Sequence, residues 1–242
     1  MHPAYRLRFI TGTVKWDSAS LVPSFNALIP LVYTAAKHGQ FCESDRLLAR
    51  RWLLLAGVRK YFSGSGWSDL DRVLRKVGDR PTIRALWAAT HTRLRRLRPD
   101  DFDTSRISGP ATSLYVSMLR ENDARDWARL DERLDGNVVG NNAKLQVHHF
   151  FPRALLKKHE WGSEWINTFA NYTLISASTN LDVTTEEPAT YMARLQVPAR
   201  QLEIQCIPSD KSLWRVARYE KFVEERQKLL AASSNAFLGM RG

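Results

Sequence analysis

The sequence predicts an α+β fold, mostly α-helical, in which a helical body carries a small ββα unit inserted before a long C-terminal helix. Three observations predict it. Apolar residues recur at spacings of three and four through much of the first 134 residues. Two short runs break that period: Leu145–Val147, a short strand running into His148 and His149, and Tyr172–Ser176, which is β-branched and aromatic. Helical spacing then returns from Ser212 to about Ala232 through Leu213, Val216, Tyr219, Phe222, Val223, Leu229 and Leu230. The expected division is a basic helical domain at 1–134 and a second domain at 135–242 holding the ββα unit and the C-terminal helix.

In chain order, the first expected helix is Phe25–Lys37, opened by Ser24, with Pro30 either kinking it or marking a late start. Ser44 is the expected cap of the next, whose core stripe runs from Leu47 through Leu54, Leu55 and Val58 to Phe62 until Gly64–Gly66 stops it. Ser68 and Asp71 resemble a capping box for a third helix ending at Gly78. Pro81 reads as the first residue of a fourth, continued by Leu94 and Leu97 until Pro99. Asp100–Pro110 is polar and turn-rich, the best internal linker, and a helix is expected over Ala111–Glu121. The segment 136–144 (GNVVGNNAK) reads as a loop leading into the first strand. A short helix over Pro152–Trp161 separates the strands, and another starts near Pro188.

The 242 residues carry 36 Lys+Arg against 25 Asp+Glu, a net charge of +11, and the 44% hydrophobic content excludes global disorder. From Arg46 to Arg98 fourteen basic residues face three acidic ones, so this stretch holds a surplus equal to that of the whole chain. Such a block suits a polyanion partner through counterion release, or forms solvated helix faces with no partner. No apolar run approaches the ~20 residues a bilayer span needs, so no membrane association is expected. The N-terminus lacks the pattern of a signal peptide, and Cys42 and Cys206 are too few and too far apart for a disulfide framework. A cytoplasmic location is the expectation.

The residues that point to chemistry are His148 and His149 in VHHFFP, Asn171 in ANYTLIS and Asn180 in STNLD. Strand, connection, strand and helix make a compact ββα unit able to hold one metal ion. Hydrolysis of a phosphodiester needs a base for water and a cation at the departing oxygen, and neutral imidazole suits the first task. Taken singly, each residue has a plainer reading. Adjacent histidines on a strand face opposite ways, so one can be buried and the other solvated, while a lone Asn is a turn residue or a helix cap. The combination carries the signal. Asp182, Glu186, Glu187 and His159 read as surface residues, and Trp161 and Trp165 as packing.

VHHFFP resembles the first strand of HNH (His-Me finger) endonucleases, ANYTLIS the second strand, and Thr179-Asn180 the start of the metal-facing helix. The resemblance implies that His149 is the general base, that His148 and Asn180 are metal ligands, and that Asn171 ties the loop and orients His149. It implies a divalent ion, Mg²⁺ first. His148, where an acidic residue is commoner, admits Mn²⁺, Ni²⁺ or Zn²⁺.

The segments around Ala27–Tyr33 and Arg51–Gly66, with EEPATYMARL and YEKFVEERQKLL, extend the resemblance to the C-terminal half of GmrSD-type modification-dependent restriction proteins. That implies DNA as substrate, a place in defence against phage, and an N-terminal ParB-like nucleotide-hydrolysing domain in the same polypeptide or a partner subunit. No upstream domain and no glycine-rich phosphate loop is found, so the chain is a fragment of a longer polypeptide, has its partner domain supplied separately, or acts alone as a nuclease; the fragment is the favoured expectation, and no cofactor-binding residue is expected beyond the metal ligands. Lys144, Arg153, Lys157 and Lys158 flank the motif as phosphate contacts, with Arg93, Arg95 and Arg96 as a second group. The alternative is a non-catalytic basic helical module that binds DNA or a protein and carries a degenerate finger.

Overall fold

The computed structural model describes residues 9–16, 18, 21–22, 24–38, 41–62, 66–104, 109–135, 145–183 and 185–240. The loop expected at 136–144 and the contact expected at Lys144 lie outside them. The chain forms two compact units, one of Met1–Arg96, Ser108–Ser117 and Leu238–Gly242, the other of Leu97–Ile107 and Met118–Phe237. No helix among the described residues is long and apolar enough to cross a membrane.

The first unit is helical: α1 (Phe25–His38), α2 (Glu43–Val58), α3 (Gly66–Val77), α4 (Ile83–Thr90) and the opening turns of α5 (Pro110–Glu121), with a π-helical segment at Phe9–Val14. Trp52, Leu53 and Leu55 of α2, Val73 of α3 and Leu86 of α4 are fully buried. The Trp52 indole donates to the Thr90 hydroxyl at 2.8 Å, so this large residue leaves no unpaired polar atom in the core. Trp16 Nε1 donates to the Ser113 carbonyl at 3.2 Å, and Ser117 Oγ to the Val14 carbonyl at 2.7 Å, tying the N-terminal segment to α5.

Helix boundaries in this unit depart from the sequence reading. Helix α1 runs through Pro30 from Phe25, so the late start does not occur. Cys42, not Ser44, precedes α2, and that helix ends at Val58, where Lys60 turns to positive φ and leaves Phe62 in the following turn. Ser68 lies inside α3, which begins at Gly66. Gly78, at φ 67°, supplies the left-handed residue that closes α3. Thr82 rather than Pro81 opens α4, its hydroxyl accepting from Ala85 N–H at 3.0 Å. The same helix stops at Thr90. Leu94 and Leu97 stay buried from a non-helical segment, because burial rather than helical period fixes them.

The second unit holds a two-stranded antiparallel sheet, β1 (Leu145–His149) and β2 (Tyr172–Ser176), in register from Leu145 opposite Ser176 to His149 opposite Tyr172. Between the strands lie α6 (Arg153–Lys158) and α7 (Ser163–Ile166), and after them α8 (Ala177–Asp182), α9 (Pro188–Leu195), α10 (Ala199–Ile204) and α11 (Tyr219–Phe237). Every residue of β2 is buried, which its run of β-branched and aromatic side chains permits. Phe150 and Phe151, directly after β1, anchor the core. Phe150 stacks on Phe222 at 4.7 Å and Phe151 meets Tyr219 edge-on at 4.9 Å. Trp161 and Trp165 pack against the same core, half-buried.

The C-terminal helix begins at Tyr219, seven residues later than the period suggests. Two 3₁₀ turns, Lys211–Trp214 and Val216–Arg218, replace its expected start. The Trp214 indole donates to the Pro208 carbonyl at 2.8 Å and the Val216 N–H to the Glu187 carboxylate at 2.5 Å, tertiary bonds that compete with helical ones.

Candidate active site

His148 and Asn180 meet at the junction of β1 and α8. Nδ1 of His148 lies 2.8 Å from Oδ1 of Asn180. The amide end of Asn180 donates to Gln146 Oε1 at 2.6 Å, which fixes the Asn180 oxygen toward the imidazole. Gln146 stands two residues before His148, so the strand period brings both side chains to one face. The same period, applied to β1, is the signal that would have singled out Gln146.

Helix α8 is held in place from two sides. The Ser176 hydroxyl accepts from Thr179 N–H at 3.2 Å, an N-cap bond. Asp126, fully buried, accepts from the backbone N–H of Ala128 at 3.0 Å, Arg129 at 3.2 Å and Ser176 at 2.7 Å, and from the Thr179 hydroxyl. Four donors satisfy a carboxylate that has no water around it. Asp126 is fifty residues from the helix it clamps, and no local pattern marks it.

His148 is 7% exposed, and burial lowers its pKa to about 4, although the Asn180 oxygen favours the charged ring. The ring is neutral at pH 7. Trp127 and Tyr191 stand edge-on to it at 6.3 and 6.2 Å, and among the described residues its Nε2 is buried without a partner. His149 is half-buried. Its Nε2 lies 3.3 Å from Asn167 Oδ1, its ring centroid 4.5 Å from that of Tyr172, and burial again lowers its pKa, helped by the positive charge of Arg153.

Both histidines and Asn180 line one open cleft of about 430 Å³, with Pro152, Arg153 and Thr185 on its walls. Asn171 lies behind it, fully buried. Its side chain bonds the Phe151 backbone in both directions, at 2.8 and 3.1 Å, and donates to the Ile166 carbonyl at 3.0 Å. The loop carrying the end of β1 into α6 is thereby pinned one residue beyond Phe150, whose N–H donates to the Asn171 carbonyl at 2.7 Å.

Residues 119–233 match the family model described as GmrSD restriction endonucleases, C-terminal domain. This part of the chain is similar to that family. All of the cleft residues, the Asp126 clamp and the Asn171 tie fall inside the matched segment, which begins in the last turn of α5 and ends within α11. No curated protein and no solved structure matches the chain.

Around the cleft, Arg153 is exposed at the first position of α6, and Lys157 and Lys158 are exposed in its last turn. Arg93, Arg95 and Arg96 belong to the other unit. There Arg93 stacks over Tyr61 at 4.4 Å and lies 3.5 Å from Asp69, while Arg95 Nε donates to the Thr92 carbonyl at 3.0 Å. The acidic residues after Asn180 have structural partners. Glu186 pairs with Arg194 at 3.0 Å, and Glu187 holds the Val216 N–H.

Among the described residues no three His, Cys, Asp or Glu side chains gather in one place. A divalent ion in the cleft would take its protein ligands from a smaller, mixed set. At 2.8 Å His148 Nδ1 donates its hydrogen to Asn180 Oδ1; to ligate an ion the ring would carry its hydrogen on Nε2 instead, and the two atoms would then stand near the separation of about 3 Å that neighbouring ligands at about 2.1 Å from an ion have. The donor set is neutral, with nitrogen and oxygen, and leaves most of the coordination sphere for water and phosphate oxygens. It fits a divalent ion, and the imidazole nitrogen widens the choice toward transition metals.

Proposed function

We propose that the GmrSD-type segment is a metal-dependent HNH endonuclease that hydrolyses phosphodiester bonds of DNA, with β1, β2 and α8 as its ββα finger. The observation that carries this reading is the convergence of His148 Nδ1, Asn180 Oδ1 and the His149 ring in a single cleft. His149 is neutral at pH 7 and takes the proton from the attacking water. His148 and Asn180 would hold the ion, which when bound supplies positive charge at the departing oxygen. Arg153, with Lys157 and Lys158, receives the phosphate backbone, and Asn171 keeps the strand end and the imidazole where the water must be. Arg93, Arg95 and Arg96 are a second group of phosphate contacts, on the basic unit. Mg²⁺ is the first candidate ion, followed by Mn²⁺, Ni²⁺ and Zn²⁺.

The match to a restriction-endonuclease family supports foreign or modified DNA as substrate and a role in phage defence. Recognition of a modification would fall to a ParB-like nucleotide-hydrolysing domain, upstream in the native polypeptide or on a partner subunit. The test is relaxation or linearisation of supercoiled plasmid by the purified chain with Mg²⁺ or Mn²⁺. Cleavage abolished by EDTA and by His149→Ala, with an unchanged circular dichroism spectrum, is the expected result. A His149→Ala protein that cleaves as fast as wild type would sink the assignment and leave a DNA-binding module.

A further inference from the structure

His149 has two ring nitrogens with different surroundings. Nε2 faces Asn167 Oδ1 at 3.3 Å, and the same oxygen accepts the Tyr172 hydroxyl at 3.0 Å. A phenol has one hydrogen to give, and at neutral pH it keeps it, so Tyr172 occupies one lone pair of Asn167 Oδ1 as a donor. The second lone pair is left for Nε2, which can reach it only by donating a hydrogen. Among the described residues Nδ1 makes no hydrogen bond, and it is open to solvent on the wall of the cleft.

The two residues that make this arrangement are themselves fixed. Tyr172 is directly across the sheet from His149, and its ring flanks the imidazole at 4.5 Å. Asn167 closes α7, its backbone N–H bonded to the Ser163 carbonyl at 3.0 Å. Asn171 pins the same stretch from below through the Ile166 carbonyl. Asn167 therefore presents its oxygen from a backbone position that does not depend on the cleft.

We infer that Asn167, oriented by Tyr172, is the positioning residue that selects the tautomer of His149, placing the hydrogen on Nε2 and the free lone pair of Nδ1 in the cleft. The inference rests on the nuclease reading for its consequence, since only a base at Nδ1 makes the selection matter. Its physical content is independent of cleavage. Neither residue touches substrate in this role, and both act through the imidazole.

The experiment is a long-range ¹H–¹⁵N correlation spectrum of the metal-free chain labelled at histidine, recorded above the titration range of the ring. A single Nε2–H tautomer for His149 in wild type, a mixture in Asn167→Ala, and the single tautomer regained in Asn167→Asp are expected, because a carboxylate is an acceptor at both oxygens. With metal and plasmid, Asn167→Ala should lose up to about 100-fold in kcat with little change in KM, and Asn167→Asp should recover most of it. Tyr172→Phe should fall between them.

An Nδ1–H tautomer in wild type, or an unchanged tautomer in Asn167→Ala, overturns the inference. Loss of activity in Asn167→Asp equal to that in Asn167→Ala does so too. If instead His149→Ala cleaves like wild type while the tautomer pattern holds, the nuclease reading fails and the positioning does not.

Discussion

The side chain of Asn171 pairs with the backbone of Phe151 as a neighbouring strand would, accepting its N–H at 2.8 Å and donating to its carbonyl at 3.1 Å. A third bond, to the Ile166 carbonyl, uses the other amide hydrogen, so nearly the whole hydrogen-bonding capacity of the buried amide is filled. Asn171→Ala would leave a buried N–H and two buried carbonyls short of partners, at a cost of about 3 kcal/mol. Asn171→Asp should be no better, because a carboxylate cannot donate to either carbonyl. Urea unfolding followed by tryptophan fluorescence measures both, and a loss below 1 kcal/mol in either would show that the loop is pinned elsewhere.

The two strands were legible because Leu145–His149 and Tyr172–Ser176 are bounded by turn-forming and proline-containing sequence and contain the β-branched residues a sheet accepts. The starts of helices were less so. Ser44, Ser68 and Pro81 all have the chemistry of helix starts, yet tertiary packing put the boundaries two or three residues away. His148, His149, Asn171 and Asn180 share sequence motifs, and the fold brings all four into one small region. Asp126, Gln146 and Asn167 were not singled out, since the partners that tie them to the cleft, Thr179, Asn180 and His149, stand 18 to 53 residues away and only the folded chain places them alongside.

Acid should loosen the second unit through His148. Its pKa falls from the ordinary 6.5 to about 4 on burial, so between these values the unfolded chain binds a proton that the folded one refuses. Stability from this residue is complete above pH 6.5 and is lost as pH drops toward 4, amounting to about 3 kcal/mol. His149, lowered for the same reason, acts in the same direction. Denaturation midpoints between pH 7.5 and 4.5 should fall steeply in wild type and less steeply in His148→Asn. Equal slopes for the two proteins would contradict it.

Asp126 should matter more than its distance from the cleft suggests. In Asp126→Asn one oxygen becomes an amide that points a donor at a donor, either the Ser176 N–H or the N–H pair of Ala128 and Arg129. A cost of about 3 kcal/mol is expected, with loosening of α8. Because Asn180 rides on that helix, Mn²⁺ binding measured by calorimetry should weaken in this variant even where it remains folded. Unaltered affinity in a destabilised protein would separate the clamp from the site.

Arg153 offers the cleanest separation of binding from chemistry. It is exposed, sits on the cleft wall, and makes no ion pair that its removal would break among the described residues. Arg153→Ala should leave folding within about 0.5 kcal/mol of wild type. If the guanidinium neutralises one phosphate, the slope of log affinity against log salt for duplex DNA should decrease in magnitude by about one. The charge of Arg153 also helps keep the His149 pKa low, so its loss should move the imidazole toward its ordinary value and the acid limb of any cleavage profile to higher pH. Binding isotherms at four salt concentrations, set beside a cleavage profile from pH 5 to 8, read both effects; an unchanged salt slope would remove Arg153 from the DNA contact.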